Sequence, residues 1–344
     1  MGKLERRASK RTGDGEASLL RHITGISSGR TAAPGHGVRL GIGDDAALFA
    51  ARRGFETVLT CDWFLEGTHF IREKHPADAV GWKCLARAVS DVAAMGGVPR
   101  CFLLSLARAG THTTRWLDEF LAGLRRAARR FGCVLAGGDT TRRQEILINV
   151  TVVGEVRAGW AVRRTGARPG DVVFVSGRLG EAEFGLRLLR SGKGLARKND
   201  PLLKKHLYPE PRLELGHWLA EKRLATAMMD LSDGLSTDLP RLCAASGVGV
   251  RIEAAKIPAV RLPVRRHSHG LDPLLLALNG GDDYELLFTV PRNKARRVPR
   301  SFHGVPLTAI GIVTKEATLV LTDGNGKEHP LADGGWDPFR VSRK

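Results

Sequence analysis

Gly41-Ile42-Gly43-Asp44-Asp45-Ala46-Ala47-Leu48 is the stretch from which this chain is read. Its two glycines let the backbone turn sharply after Val38-Arg39-Leu40, and two neighbouring carboxylates sit on the turn with no cation beside them. Taken alone, the stretch also fits a plain surface turn, because Gly and Asp are frequent turn residues. The pattern recurs, however. Aspartates beside Gly, Ser or Thr return at Thr60-Cys61-Asp62, Ser90-Asp91, Gly137-Gly138-Asp139-Thr140-Thr141, Asp230-Leu231-Ser232-Asp233-Gly234 and Gly280-Gly281-Asp282-Asp283. In a strongly basic chain, repeated acidic turns at strand ends predict a site for several Mg2+ ions.

A chain of 344 residues with 42% hydrophobic content can bury two cores of ordinary size. A net charge of +18 keeps a nucleic-acid binder in view beside an enzyme. The basic residues are nevertheless spread in short groups such as Arg52-Arg53, Arg125-Arg126, Arg129-Arg130 and Arg163-Arg164, aromatics make up only 6%, and no nucleic-acid module is visible. The five cysteines, Cys61, Cys84, Cys101, Cys133 and Cys243, lie far apart without Cys-x-x-Cys spacing, which predicts reduced thiols rather than a disulfide frame or a zinc site. No apolar run reaches the length of a membrane span and the N-terminus lacks the core of a signal peptide, so a soluble, cytoplasmic protein is expected.

Residues 1–17 are polar and basic and read as a disordered tail. A short helix is expected over Ser18–Ile23, then strands at Val38–Ile42, Thr57–Thr60 and Phe64–Phe70. Pro76 opens a helix to Met95, with Val80, Cys84, Ala88 and Val92 on one face, and Gly96-Gly97-Val98-Pro99 stops it. Asp91 falls in its last turns, where the helix dipole disfavours a carboxylate unless a cation offsets it. A strand at Cys101–Leu106, a helix at Thr114–Phe131, a strand ending in Gly137-Gly138-Asp139 and a half-buried antiparallel strand at Glu145–Val156 complete an N-terminal domain, 18–157. The Gly, Arg and Pro cluster of Arg157–Pro169 marks the boundary. Domain 158–344 then reads as a strand at Asp171–Ser176, helices at Gly180–Leu189 and from Pro211, a strand at Thr226–Met229, a helix to Ala245 and four further strands. The fold class expected is α/β with α+β character.

Gly41-x-Gly43-x-x-Ala46 formally fits a dinucleotide fingerprint, and Asp62 lies at the right distance beyond it. That motif must open a helix, whereas here another strand is predicted. Asp44 and Asp45 would also face the phosphates. Like charges about 4 Å apart repel by roughly 4 kcal/mol at an effective dielectric near 20, so phosphate approaches only with metal between. There is no phosphate-binding loop, since Gly192-Lys193 is followed by Gly194, no protein-kinase motif set and no His-Glu-x-x-His spacing. All-oxygen donors at glycine-flanked turns select a hard cation in a phosphate-handling site.

The set Gly-Ile-Gly-Asp-Asp-Ala-Ala-Leu at 41–48, Ser-Asp-Val-Ala-Ala-Met-Gly-Gly at 90–97, Gly-Gly-Asp-Thr-Thr at 137–141, Asp-Leu-Ser-Asp-Gly-Leu at 230–235 and Gly-Gly-Asp-Asp-Tyr-Glu-Leu at 280–286 resembles the thiamine-monophosphate kinase family. That family shares its fold with aminoimidazole ribonucleotide synthetase, selenophosphate synthetase and the hydrogenase-maturation dehydratase. The resemblance implies two α/β domains, with the N-terminal sheet forming a barrel across a homodimer. It implies Mg2+ ions held by Asp45, Asp62, Asp91, Asp139 and Asp230, with Asp233 on a further ion and Thr60 and Cys61 beside the metals. It implies ATP contacts at Gly138, Asp139, Arg164 and Ser232, and acceptor contacts at His69, Asp282 and Trp336. Cys61 stands where Thr is common and Asp282 where Glu is usual. A thiol is a poor Mg2+ ligand, so a metal contact at 61 falls to the backbone carbonyl.

The reaction implied is transfer of the γ-phosphoryl of ATP to thiamine monophosphate, with no residue serving as general base, because a phosphate monoester with a second pKa of about 6 is already largely ionised. Two rivals stay open. Another ATP-using member of the superfamily would differ in its acceptor; selenophosphate synthetase would want a reactive Cys in the N-terminal segment, and no Cys precedes Cys61. A non-catalytic basic protein would bind nucleic acid in a salt-sensitive way and release no ADP.

Overall fold

The computed structural model describes residues 23, 33–42, 45–109, 114–192, 199–263 and 270–339. The basic tail, nearly all of the helix expected over Ser18–Ile23, and Gly43 and Asp44 lie outside the described residues. In the first half, β1 (Val38–Leu40) and β2 (Leu48–Phe49) form a small ribbon, followed by β3 (Phe55–Leu65), β4 (Val98–Arg108), β5 (Val134–Arg142) and β6 (Leu147–Arg157). The last four make a sheet in the order β3-β6-β4-β5, antiparallel except for the parallel β4–β5 pair.

Three expectations change here. Thr57–Thr60 and Phe64–Phe70 are not separate strands: β3 runs unbroken through Cys61-Asp62-Trp63, paired with β6 over its whole length. A carboxylate on one face interrupts the apolar pattern without interrupting the backbone ladder. Residues 66–70 form the turn that follows, with Gly67 at φ +81°. Nor is β6 half-buried along its length; flanked by strands on both sides, it is buried at most positions. The image of acidic turns is likewise corrected, since Asp62, Asp139 and Asp230 lie within strands.

Helix Ala77–Ala94 is buried on almost every side, packing on the sheet, on helix Thr114–Phe131 and on helix Leu213–Glu221 of the second half. Its contact with Thr114–Phe131 is backbone-close. A Cβ on Gly81 would come within 2.0 Å of the Phe120 carbonyl oxygen, so only glycine permits this approach. The helix ends where Gly96 turns left-handed at φ +73°, its N–H donating to Ala93 O and that of Gly97 to Val92 O.

The second half is built on β7 (Val172–Ser176), β8 (Ala227–Leu231), β9 (Gly249–Glu253), β10 (Glu285–Val290), β11 (Ser301–Phe302), β12 (Val305–Thr314), β13 (Leu319–Thr322) and β14 (Glu328–Pro330). The order is β14-β13-β9-β12-β7-β10-β8, with β11 added to β12, and only β13–β9 is parallel. Both faces are covered. Val173, Val175, Leu231 and Leu287 pack with Leu239 and its neighbours on helix Leu235–Ser246 on one side. Phe174, Met228, Leu286 and Phe288 pack with Leu215 and Leu219 on the other, and Ala94 of the first half joins that cluster. The edge strand β8 is thereby pressed against helix Ala77–Ala94, and the polar ends of both elements meet at one cleft.

Candidate active site

The cleft has a volume of about 770 Å³ and lies between the two halves. Among the carboxylates that line it, three come from three separate elements: Asp62 from β3, Asp91 from helix Ala77–Ala94 and Asp230 from β8. Thr60 Oγ1 donates to Asp91 Oδ2, and Ser90 Oγ donates to Asp230 Oδ2 at 2.7 Å. Burial, and then the carboxylates of Asp91, Asp233 and Asp282, push the Asp62 carboxyl up to about 6 against the pull of Arg87. Asp91 and Asp230 are raised as well, both first by burial and Asp230 next by Asp91. Such groups resist ionisation side by side, and cations remove the resistance. This donor set of buried carboxylates and a hydroxyl therefore suits Mg2+. Among the described residues no three His, Cys, Asp or Glu side chains converge closely enough to hold one ion. Mg2+ asks for less, being commonly held by one or two carboxylates with water and substrate phosphates filling the remaining positions.

Ser232 and Asp233 follow β8 on a bend whose N–H groups both donate to Asp238 Oδ2 at 3.0 Å. Arg241 Nη1 donates to Asp233 Oδ2 and, at 3.0 Å, to Asp238 Oδ1. The Trp336 N–H donates to Asp233 O at 2.9 Å and brings the C-terminal segment to the cleft. There the Trp336 ring stands 5.6 Å from the His69 ring. His69 Nδ1 accepts from the Leu65 N–H at 3.0 Å, leaving the ring proton of the neutral form on Nε2. Burial and the nearby Arg87 lower its pKa to about 4.

Asp282 reaches the same cleft from a left-handed backbone, φ +67°. Lys83 Nζ donates to its Oδ2 at 2.8 Å and the Tyr284 hydroxyl to its Oδ1 at 2.6 Å. Burial alone would raise this carboxyl, but Lys83, Arg87 and His206 hold it well below the usual range. Its neighbour Asp283 faces the other way. There it accepts from the Gly180 and Ala182 N–H groups at 2.6 and 3.1 Å and caps helix Glu181–Ser191.

The remaining predicted residues do not join this cluster. Cys61 alternates to the opposite face of β3 from Thr60 and Asp62, and its Sγ pairs with the Asn149 amide at 3.2–3.3 Å. Gly138 and Asp139 lie in β5, three strand spacings from β3, or roughly 14 Å. The register aligns Asp139 with Ser105, Asn149 and Trp63, on the face away from Asp62. Asp45 is exposed on the bend before β2 and does not line the cleft. Arg164 is exposed, yet its charge reaches Asp91 and favours the ionised form.

Arg87 and His206 line the cleft, with Lys83 behind Asp282 and Asp238 behind Ser232 and Asp233, and the motifs point to none of the four. Lys83, Arg87 and Asp91 are spaced i, i+4, i+8 and form a charged stripe on a helix whose other charged residue is Asp78 in the first turn.

The family model of the AIR synthase related protein, N-terminal domain, matches residues 43–156, and that of its C-terminal domain matches 168–324. The thiamine-monophosphate kinase of Escherichia coli K12 is 36% identical over 330 residues, covering 94% of this chain and 98% of that protein. The Bacillus subtilis enzyme of the same name is 33% identical over 296 residues, covering 83% and 90%. Among solved structures, thiamine-monophosphate kinase from Stenotrophomonas maltophilia K279a superposes with a TM-score of 0.75 at 34% identity, covering 90% and 96% of the two chains. A structure described as AaThiL complexed with AMPPCP and TMP gives 0.73 at 33% identity, covering 94% and 97%. Hydrogenase maturation protein HypE shares the fold, with a TM-score of 0.74 at 21% identity.

Proposed function

The chain belongs to the thiamine-monophosphate kinase family, and on that premise we propose that its cleft moves the γ-phosphoryl group of ATP onto the phosphate of thiamine monophosphate, releasing ADP and thiamine diphosphate. The observation that carries this reading is that one cleft is lined both by Asp62, Asp91 and Asp230 and by the His69–Trp336 ring pair. The carboxylates suit phosphates with their cations, and the rings suit a flat cationic heterocycle.

No proton need be taken from the acceptor, whose phosphate is largely a dianion above pH 6 or so. The chain's task is to bring two polyanions together in line. Asp62, Asp91 and Asp230 would hold Mg2+, with Thr60 hydrogen-bonded behind them and Asp233 available once Arg241 releases it. When bound, Mg2+ neutralises the charge that develops on the phosphate oxygens. Arg164, beside Asp91, adds a fixed positive charge for the nucleotide, and Ser232 and Gly138 are assigned to the same ligand. His69, neutral at physiological pH, and Trp336 take the organic part of the acceptor.

We further read the protein as a homodimer. Leu59, Trp63 and Leu103 expose apolar surface on the sheet face that also carries Cys61 and Asp139. Such a patch marks an interface, and a second copy seated there would bring Asp139 to a shared site. Residues 18–157 and 158–344 are taken as its two domains. Among the described residues no helix is long and apolar enough to cross a membrane and all five cysteines are free, so the cytoplasm is assigned as its place.

The test is ADP release with thiamine monophosphate, thiamine or formylglycinamidine ribonucleotide as acceptor. Turnover with the first alone is expected; turnover with another acceptor and none with thiamine monophosphate would overturn the reading.

A further inference from the structure

Arg87 is a largely buried charged residue of the cleft whose side chain makes no hydrogen bond among the described residues. It lies one turn after Lys83 and one turn before Asp91 on helix Ala77–Ala94, with 15% of its side chain exposed. Its Nη1 stands 3.7 Å from Asp282 Oδ1 and its Nη2 3.9 Å from Asp62 Oδ1. Both separations are ion-pair distances, too long for hydrogen bonds. Its Nε is buried and has no hydrogen-bond partner. The guanidinium carbon lies 5.5 Å from the centre of the Phe64 ring.

Guanidinium does not lose its proton in proteins, and it carries five N–H donors in a planar fork. Arg87 lines the cleft, and among the described residues its Nη groups have ion-pair neighbours but no hydrogen-bond acceptor, so the fork points to an acceptor absent from the protein itself. Asp282 is not that acceptor, because its nearer oxygen stands 3.7 Å from Nη1, beyond hydrogen-bond reach, while Lys83 and Tyr284 hold the carboxylate in place. Asp62 is not either, being too far for a hydrogen bond and placed among the carboxylates suited to metal. Arg87 thus stands beside Asp62 and beside Phe64, whose ring lies 5.8 Å from that of His69, so it neighbours both the carboxylates and the ring pair. A phosphate joined to a heterocycle resting on those rings has to lie there if it is to meet a phosphoryl donor at the carboxylates.

We propose that Arg87 binds the phosphate monoester of the acceptor through its guanidinium fork. This rests on the function proposed above, which supplies the acceptor. Fork-to-phosphate pairing adds direction as well as charge, which a Lys ammonium at the same place would not provide.

Three ligands separate the alternatives when their binding to wild type, Arg87→Gln and Arg87→Lys is measured by calorimetry in Mg2+. Thiamine monophosphate carries the phosphate, thiamine lacks it, and a non-hydrolysable ATP analogue reports the nucleotide site. Arg87→Gln is expected to weaken thiamine monophosphate by about ten- to a hundredfold, as for loss of a charge-assisted hydrogen bond. Thiamine and the nucleotide analogue should bind as in wild type. Arg87→Lys should lose roughly three- to tenfold, and it carries the test alone if the Gln variant does not fold. Equal weakening of thiamine and its monophosphate would assign Arg87 to pocket shape and overturn the proposal. Weakening of the nucleotide alone would assign it to the donor phosphate, and unchanged binding of all three would overturn it outright. If wild type binds thiamine monophosphate through Arg87 but releases no ADP, the enzymatic reading fails while the phosphate contact stands.

Discussion

Lys83 and Asp282 join the two halves of the chain behind the cleft surface that Asp282 lines, the buried ammonium donating to the carboxylate at 2.8 Å. Lys83 is 1% exposed at its side chain, so it left water entirely to make this contact. Its neighbour His206 Nδ1 lies 3.3 Å from Nζ, and His206 in turn meets His75 across 3.1 Å. Removing one partner of a buried pair strands the other charge. Asp282→Asn is accordingly expected to destabilise the protein by about 3–5 kcal/mol in urea unfolding, and Lys83→Met by somewhat less because Arg87 remains beside Asp282. The double variant should recover part of the loss. Strictly additive losses would show that the two groups are not coupled.

Buried carboxylates that push one another's pKa upward are relieved by divalent cations. Mg2+ is expected to raise the melting temperature at pH 7.5, and excess EDTA to abolish ADP release. Asp91→Asn and Asp230→Asn should each lower kcat by about a hundredfold or more while the protein stays folded. Full turnover in EDTA would refute the metal assignment.

The homodimer prediction has a geometric handle, because Asp139 and Asp91 belong to different faces and different elements of one chain. Sedimentation should give twice the chain mass at micromolar concentration, and Leu59→Asp with Trp63→Arg should shift it toward monomer. Asp91→Asn and Asp139→Asn chains, each inactive alone, should regain activity on mixing and re-equilibration if each site draws on both copies. No recovery, with mixed dimers demonstrated, would confine each site to one chain.

Glu285 predicts the acid limb of stability. It is fully buried at the start of β10, where Lys205 Nζ donates at 2.9 Å, Ser176 Oγ at 2.6 Å and Arg212 through two nitrogens. Burial alone would raise its pKa, yet Lys205, Arg212 and Ser176 lower it from 4.5 to about 2. A depressed carboxyl contributes stability that is present above pH 4.5 and lost as pH falls toward 2. The contribution is on the order of 3 kcal/mol, so Glu285→Gln should unfold more readily at pH 7 and show a flatter stability profile between pH 4.5 and 2. An unchanged profile would remove Glu285 from the account.

Local chemistry explains which parts of this molecule were legible in the sequence. Pro76, the Val80-Cys84-Ala88-Val92 spacing and Gly96-Gly97 bound a helix found at Ala77–Ala94, and Thr114–Phe131 forms as its pattern predicts. Helix Pro273–Asn279 escaped notice although Asp272 caps it by accepting from the Leu274 N–H, because its seven residues are too few to show a period. Asp139 could not be placed at all from its motif. Which face a strand residue takes depends on register with strands distant in sequence, and a slip of one residue inverts it. Lys83 and Arg87 were hidden for another reason: in a chain with this many basic residues, two more on a helix read as solvated surface until the helix proves to be buried.

The acceptor end of the cleft allows the sharpest test of the enzymatic reading. Trp336 keeps 40% of its surface exposed and tilts at 51° to the His69 ring, so it is not a core side chain, and its exposed part borders the cleft. The acceptor's thiazolium is a permanent cation, which an aromatic face attracts by about 0.5–2 kcal/mol according to how dry the site is. His69 does not oppose this, because with its pKa lowered to about 4 it is neutral near pH 7. Trp336→Ala is therefore expected to raise KM for thiamine monophosphate roughly two- to thirtyfold and to leave KM for ATP nearly unchanged. The KM for thiamine monophosphate should also show no step from pH 6 to 8 traceable to His69, so His69→Gln should leave the shape of that profile as it is. Asp282 acts differently from a free anion, since its charge is already matched by Lys83. Asp282→Ala should weaken acceptor binding together with stability, whereas Trp336→Ala should weaken binding alone. Equal acceptor KM in wild type and Trp336→Ala would detach the ring pair from the substrate and leave Trp336 only the role of anchoring the C-terminal segment through Asp233.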